Sequence, residues 1–134
     1  MASRLLARAS LTEAALRDRL ERRGYQPETA ARAVTRCREL GYVSDERLAF
    51  DRARTLRLRG AGSLRIADDL RARGLAEGLV AAAVEASLEG EREVSWARRV
   101  LDRAGEPRGA RAWRLLASRG FVEEVIEELL GDPG

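Results

Sequence analysis

The stretch Leu16-Arg-Asp-Arg-Leu-Glu-Arg-Arg-Gly-Tyr25 occurs three times in variant form along the 134-residue chain. The second copy covers residues 66–75 and the third covers residues 112–121. In each copy an apolar residue stands four positions before a leucine, and an Arg-Gly-apolar triplet follows within four residues. The three glycines are 50 and then 46 residues apart, so the spacing predicts tandem repeats of about fifty residues.

Each copy carries the start and stop signals of consecutive helices. Thr12 is a suitable N-cap for the first helix, and Gly24 suits the positive φ that ends it. Pro27 can open the second helix, where its missing N–H costs little. Ser44 can cap a third helix, and Ser63 is predicted to cap the first helix of the next copy.

No segment of useful length alternates with the period of two that strands require, so the chain is predicted to be all-α. Three tandem repeats are expected, with three helices in residues 12–60 and three in residues 61–105. The third repeat, residues 106–131, has room for two helices only, near residues 109–119 and 122–131.

The composition excludes several classes of chemistry. The chain has no histidine and one cysteine, Cys37, so it can form neither an internal disulfide nor the usual zinc site, and a Ser-His-Asp or Cys-His arrangement is impossible. We expect Cys37 to be a small buried hydrophobe, and we predict no metal and no cofactor. No apolar run is long enough to span a membrane, and Met1–Ser10 lacks the pattern of a signal peptide. These features indicate a cytoplasmic protein that does not bind membranes.

The charge distribution indicates a binding role. All 25 basic residues are arginine. Residues 1–74 carry a net charge of +7, from 17 arginines and 10 acids, whereas residues 75–134 carry −4, from 8 arginines and 12 acids. Residues 52–73 and residues 98–119 each contain seven arginines and two acids. This asymmetry predicts an acidic or polyanionic partner on one side of the protein.

Two motifs, one central and one near the C-terminus, overlap the repeats. The central motif comprises Gly41-Tyr-Val-Ser-Asp-Glu-Arg-Leu-Ala-Phe50, Arg54, Arg57, Arg59-Gly-Ala-Gly62, Arg65-Ile66, Leu70 and Arg73-Gly-Leu75. The second is Arg114-Leu-Leu-Ala-Ser-Arg-Gly-Phe121. Together they resemble the signature of the RecX family, whose members regulate the bacterial recombinase RecA. The resemblance extends over about residues 12–131, with Arg73 where many relatives have lysine.

The resemblance implies three tandem three-helix repeats in an elongated, curved body. It also implies a non-enzymatic regulator that binds in the groove of the RecA filament on single-stranded DNA. Such a protein modulates, and mainly inhibits, the ATPase, strand-exchange and coprotease activities of RecA. The expected partner is the filament, with single-stranded DNA contacted weakly or indirectly, and the protein is expected to be a monomer without a cofactor.

We predict that two groups of arginines bind the partner. They are Arg54, Arg57, Arg59, Arg65 and Arg73 in the first group, and Arg98, Arg99, Arg111, Arg114 and Arg119 in the second. Reversing the charges of Arg57 and Arg65 together is predicted to abolish filament inhibition without unfolding the helices. The aromatic residues are assigned to packing, with a partner contact by Trp96 or Trp113 as the alternative.

Two other functions are considered. Three-helix units can be helix-turn-helix modules, which would make the chain a stand-alone nucleic-acid-binding protein. Gln26 is the only glutamine and there is no asparagine or lysine, so base readout would depend on arginine alone. An enzyme would have to use Asp68-Asp69 or Glu123-Glu124, but adjacent residues of a helix point about 100° apart and form no dyad.

Overall fold

The computed structural model describes residues 11–131, and over this range it contains eight α-helices and no strand. The helices are α1 Glu13–Arg22, α2 Pro27–Glu39, α3 Asp45–Leu58, α4 Ser63–Ala72, α5 Glu77–Ser87, α6 Glu93–Arg103, α7 Gly109–Ser118 and α8 Glu123–Leu130. The predicted all-α fold is confirmed.

The helix starts follow the sequence signals at three of the four positions. The Thr12 hydroxyl accepts a hydrogen bond from the amide of Ala15 at 3.0 Å, and Ser44 likewise caps α3. Pro27 is the first residue of α2. The prediction for Ser63 was wrong, because Gly62 is the N-cap of α4 and the Ser63 side chain bonds elsewhere.

The three Arg-Gly turns, at residues 23–24, 73–74 and 119–120, have the same backbone geometry. Their glycines have φ values of +100°, +80° and +92°, in the left-handed region that glycine adopts without strain. In each turn the amide of the following apolar residue donates to the carbonyl of the repeat's leucine, over 3.1 to 3.4 Å. This is the bonding pattern of a Schellman motif, so the sequence repeat encodes one helix ending used three times.

The buried side chains form three separate cores, which define three units. Unit 1 contains α1 and α2, unit 2 contains α3, α4 and α5, and unit 3 contains α6, α7 and α8. The cores are Leu16, Leu20, Ala30, Val34, Cys37 and Val43 in unit 1; Leu48, Ala49, Ala53, Ala61, Ile66, Leu70, Leu75, Val80 and Ala83 in unit 2; and Trp96, Ala97, Val100, Leu101, Ala112, Leu116, Phe121 and Ile126 in unit 3.

This packing groups the helices differently from the predicted boundaries at 12–60, 61–105 and 106–131. Those boundaries assign α3 and α6 to the preceding helix pair, whereas α3 packs on α4 and α5, and α6 packs on α7 and α8. A repeat in the sequence gives the length of the unit but not the residue at which the unit begins. Units 2 and 3 each begin with the helix that was expected to end the preceding repeat.

Two further expectations concern Cys37 and membranes. Cys37 is buried in the core of unit 1, as predicted. In the part of the chain that the structure describes, no helix is long and apolar enough to cross a membrane. The expectation for Met1–Ser10 falls outside the described residues.

Candidate functional site

Units 2 and 3 are joined by hydrogen bonds between backbone groups. The amide of Gly62, at the start of α4, donates to the carbonyl of Arg119 at 2.8 Å. The amide of Leu64, two residues further on, donates to the carbonyl of Gly120 at 2.9 Å. The first amides of a helix have no partner within the helix, and no side chain caps α4 at Gly62. The Arg-Gly turn of unit 3 therefore supplies acceptors for the amides of Gly62 and Leu64.

The two glycines at this junction allow the backbones to meet. A Cβ at Gly62 would lie 2.5 Å from the carbonyl oxygen of Gly120. A Cβ at Gly120 would lie 2.5 Å from the Cβ of Arg65. Neither distance is compatible with a real side chain, so the junction is a close backbone contact that only glycine permits.

Units 1 and 2 meet through the same elements of their repeats. The hydroxyl of Thr12, at the start of α1, donates to the carbonyl of Arg73 at 3.0 Å. Ala14 lies over Gly74, where an added Cβ would be 3.1 Å from the alanine side chain. The Arg-Gly turn of one unit thus packs on the start of the equivalent helix in the preceding unit at both junctions.

Arg57, one of the predicted partner-binding residues, is buried with 1% of its surface exposed. Its Nε donates to the Ser87 hydroxyl at 3.1 Å, and its Nη2 donates to the Ser63 hydroxyl at 2.8 Å. Its Nη1 lies 3.7 Å from the Glu93 carboxylate, which also accepts a hydrogen bond from the Ser63 amide at 3.1 Å. Arg57 therefore links α3, α4, α5 and α6, and the prediction that it faces a partner was wrong.

The burial of Arg57 has an electrostatic consequence. Removal from water holds the pKa of its guanidinium below the ordinary value, and the nearby Glu93 carboxylate opposes that shift. The ordinary pKa of arginine lies so far above neutrality that the group stays charged. A charged group in this position must keep its hydrogen-bond partners, which makes the network a structural element of units 2 and 3.

Arg73 is half-buried and bound within unit 2. Its Nε donates to Asp69 Oδ1 at 2.9 Å. Arg52 from α3 donates two hydrogen bonds to the same carboxylate, at 3.1 and 3.0 Å. The hydrogen bond from Arg52, with a further one from Arg73, holds the pKa of Asp69 below its ordinary value. Much of the charge of Arg73 is thus compensated inside the molecule.

Two more predicted arginines have partners on the surface. Arg54 pairs with Glu89 at 3.1 Å. Arg99 pairs with Glu91 at 2.6 Å, and its guanidinium carbon lies 4.4 Å from the centre of the Trp96 ring. These side chains stay accessible, but they would have to exchange an internal carboxylate for an external one.

The two tryptophans lie in unit 3. Trp96 is buried, and its Nε1 donates to the carbonyl of Leu88 at 3.0 Å. Trp113 packs against the core of unit 3 and is half-buried. Packing is therefore the main role of both. Tyr25 and Tyr42 depart from the expected packing role, since about half of each side chain is exposed.

Six of the ten predicted arginines form no salt bridge with any residue of the described range 11–131. They are Arg59, Arg65, Arg98, Arg111, Arg114 and Arg119. Arg119 is half-buried, and the other five are exposed. These six arginines keep the charge that a partner could use.

Four arginines converge on the junction of units 2 and 3. Arg59 and Arg65 flank the turn at Gly60, and Arg119 Nη1 occupies the space beside that glycine, 2.8 Å from where a Cβ would stand. Arg103, which was not among the predicted binding residues, donates from Nη1 to the carbonyl of Leu58 at 3.1 Å. Arg103 lies in the arginine-rich segment 98–119, but nothing in its local pattern distinguishes it from its neighbours.

The geometry defines a helical-repeat protein, in which each unit docks on the next through a repeated turn and arginines gather at one junction. A family model described as "RecX, first three-helix domain" matches residues 1–37. The match includes α1 and most of α2 and ends before α3, in agreement with the grouping seen in the cores.

Relatives from several bacteria match most of the chain. "Regulatory protein RecX" of Deinococcus radiodurans is 39% identical over 93% of this chain, which spans 62% of that protein. The proteins of the same name from Halorhodospira halophila and Pseudomonas entomophila are 34% and 35% identical. Those alignments cover 93% and 94% of this chain and 81% and 84% of the relatives. The chain belongs to the RecX family of regulatory proteins.

Proposed function

We propose that the protein is a non-enzymatic regulator, mainly an inhibitor, of the RecA recombinase. It binds in the groove of the filament that RecA forms on single-stranded DNA, and it modulates ATP hydrolysis, strand exchange and coprotease action. The observation that carries this proposal is identity of 34% and 35% to regulatory proteins RecX, over more than nine tenths of the chain.

The arrangement of units supports a polymeric partner. Stacked units present an extended surface rather than one enclosed site, and such a surface suits a target that is itself repetitive. Isolated exposed ion pairs contribute only about 0–1 kcal/mol each, so binding needs several contacts or a few desolvated anchors. The unpaired arginines supply such contacts, with the recombinase subunits as the main partner and single-stranded DNA contacted weakly or indirectly.

The carboxylates support a role without catalysis. Asp69 is held by two arginines, and its neighbour Asp68 pairs with Arg71 at 3.5 Å. Glu123 and Glu124 are exposed in the first turn of α8, where the helix dipole stabilises negative charge. Both pairs thus have structural explanations. We include in the proposal that the protein acts as a monomer in the cytoplasm.

The proposal is tested by following ATP hydrolysis by RecA on single-stranded DNA while the purified protein is added. Hydrolysis is expected to fall as the protein concentration rises, and filaments are expected to shorten. Unchanged hydrolysis and unchanged filament length at a molar excess of the protein would refute the proposal. Tight binding to DNA without RecA, with a steep salt dependence, would favour the alternative of a stand-alone nucleic-acid-binding protein.

A further inference from the structure

Two leucines at the junction of units 2 and 3 are exposed although their neighbours are packed. Leu58 is the last residue of α3 and Leu64 is the second residue of α4, and their exposed fractions are 49% and 50%. A turn of four residues separates the helices, so the leucines flank one turn. Leucines left half in water on both sides of a rigid turn are available for contact with another molecule.

The charged residues next to these leucines in the sequence are arginines, and the carboxylate that reaches the start of α4, from Glu93, binds Ser63 and lies beside the buried Arg57. Arg59 and Arg65 follow the two leucines directly, and residues 52–67 contain no aspartate or glutamate. Arg103 and Arg119 of unit 3 reach the same turn, as described above. None of the four arginines forms a salt bridge within residues 11–131. We call the six residues the junction patch: Leu58, Arg59, Leu64, Arg65, Arg103 and Arg119.

The junction patch is formed before any partner arrives. The close backbone contact of Gly62 with Gly120 fixes α4 against the turn of unit 3, and the buried Arg57 holds α3 to α4 and to α6. A surface fixed in this way loses little conformational freedom on binding, which favours affinity.

The chemistry of the patch distinguishes a protein partner from a nucleic acid. Surfaces that bind single-stranded nucleic acid stack bases on aromatic rings, and the junction patch has none. Exposed leucines gain nothing from phosphates, but they bury well against apolar side chains, and arginine is enriched in the centres of protein interfaces. We propose that the junction patch binds an acidic segment of the recombinase subunit that carries apolar residues between its carboxylates.

This inference rests on the proposed function, and the experiment separates the two. The wild-type protein and the double variant Leu58→Ser/Leu64→Ser are added to RecA filaments on single-stranded DNA, and ATP hydrolysis is measured. The variant is expected to need at least about a tenfold higher concentration for half-maximal inhibition, because two apolar anchors are lost. Its binding to single-stranded DNA alone is expected to equal that of the wild type.

The matched control is Leu40→Ser, which changes a leucine of 49% exposure at the end of α2, outside the junction patch. Inhibition by this control should equal that of the wild type. If the double variant inhibits as well as the wild type, the patch is not the contact, although the proposed function stands. If the double variant instead loses binding to DNA alone, the patch binds nucleic acid and the inference is overturned. If the wild type inhibits nothing, the proposed function itself fails.

Discussion

Gly62 and Gly120 face each other across the junction of units 2 and 3, and neither position has room for a side chain. The amides at the start of α4 reach the carbonyls of the turn after α7 because neither backbone carries a side chain at this point. The contact places the arginines of two units around one turn. The geometry of the candidate site thus depends on two residues that carry no charge.

Replacing Gly62 by alanine should destabilise the protein. The backbone of Gly62, with φ of −85°, accepts alanine without strain, so the cost comes from the collision with Gly120 alone. Overpacking of this kind lowers the free energy of unfolding by about 2 kcal/mol. Urea unfolding followed by circular dichroism measures the change.

The control for this variant is Gly78→Ala in the first turn of α5, where nothing lies within 4 Å of the added methyl group. This control should be unchanged, or more stable by about 0.5 kcal/mol. Equal stability of Gly62→Ala and the wild type would show that the two backbones do not meet as described.

Replacing Arg57 by methionine should have a larger effect than replacing its neighbour Arg54. Methionine leaves the Glu93 carboxylate and the two serine hydroxyls without their arginine, and loss of one partner of a buried pair costs about 3 kcal/mol. Arg54→Met removes an exposed ion pair from the same helix and should cost about 0.5 kcal/mol. Equal free energies of unfolding for the two variants would contradict the buried network.

Asp69 should contribute to the loss of stability in acid. Because its pKa is lowered in the folded protein, its contribution is complete above the pKa of the unfolded chain, about 3.9, and is lost as the pH falls through the lower folded value. The difference in unfolding free energy between the wild type and Asp69→Asn should therefore be constant near neutrality and shrink below about pH 4.

Asp68→Asn is the matched control for removal of the charge, since Asp68 is 78% exposed and pairs with Arg71 at 3.5 Å. At neutral pH that variant should unfold with a free energy within about 0.5 kcal/mol of the wild type. A difference between wild type and Asp69→Asn that grows as the solution is acidified would have the wrong sign for this arrangement.

Reversing Arg59 and Arg65 to glutamate should abolish inhibition of RecA at concentrations where the wild type acts. Both side chains are exposed and form no internal salt bridge in the described range, so helix content should be retained. The half-inhibiting concentration should rise at least about tenfold, which corresponds to about 1.4 kcal/mol. The double variant predicted from the sequence, at Arg57 and Arg65, is not suitable for this test. Reversing the charge of the buried Arg57 would unfold the unit that it stabilises.

The matched control reverses Arg19 and Arg32, which are exposed on α1 and α2 and far from the junction in sequence, and neither forms a salt bridge within residues 11–131. It changes the net charge by the same amount. Inhibition retained by the control and lost by the junction variant would locate the effect at the junction. Equal loss in both variants would indicate a general dependence on net charge instead.

Much of the fold could be predicted from the sequence because its signals are local. Capping by Thr12 and Ser44 and the positive φ of the repeated glycines depend on a few neighbouring residues. The grouping of helices into units depends on which apolar faces meet. The apolar face of α3 is compatible with packing against the preceding helices or the following ones. Only the structure shows that α3 belongs to unit 2.

The sequence predicts which segments supply the arginines of the candidate site, but not which of these arginines are exposed. The arginine-rich segments are visible in the sequence, but burial of Arg57 depends on Ser87 and Glu93, 30 and 36 residues away. The contribution of Arg103 depends on the carbonyl of Leu58, 45 residues away. Such contacts follow from the stacking of units, which no local pattern expresses.

The most direct test of the proposed function is the structure of the protein bound to a RecA filament on single-stranded DNA, determined by electron cryomicroscopy. We predict density for the three units along the filament groove, with the turn at Gly60 and its arginines against the recombinase subunits. Filaments without added density, or a bound protein whose junction of units 2 and 3 faces solvent, would contradict the account.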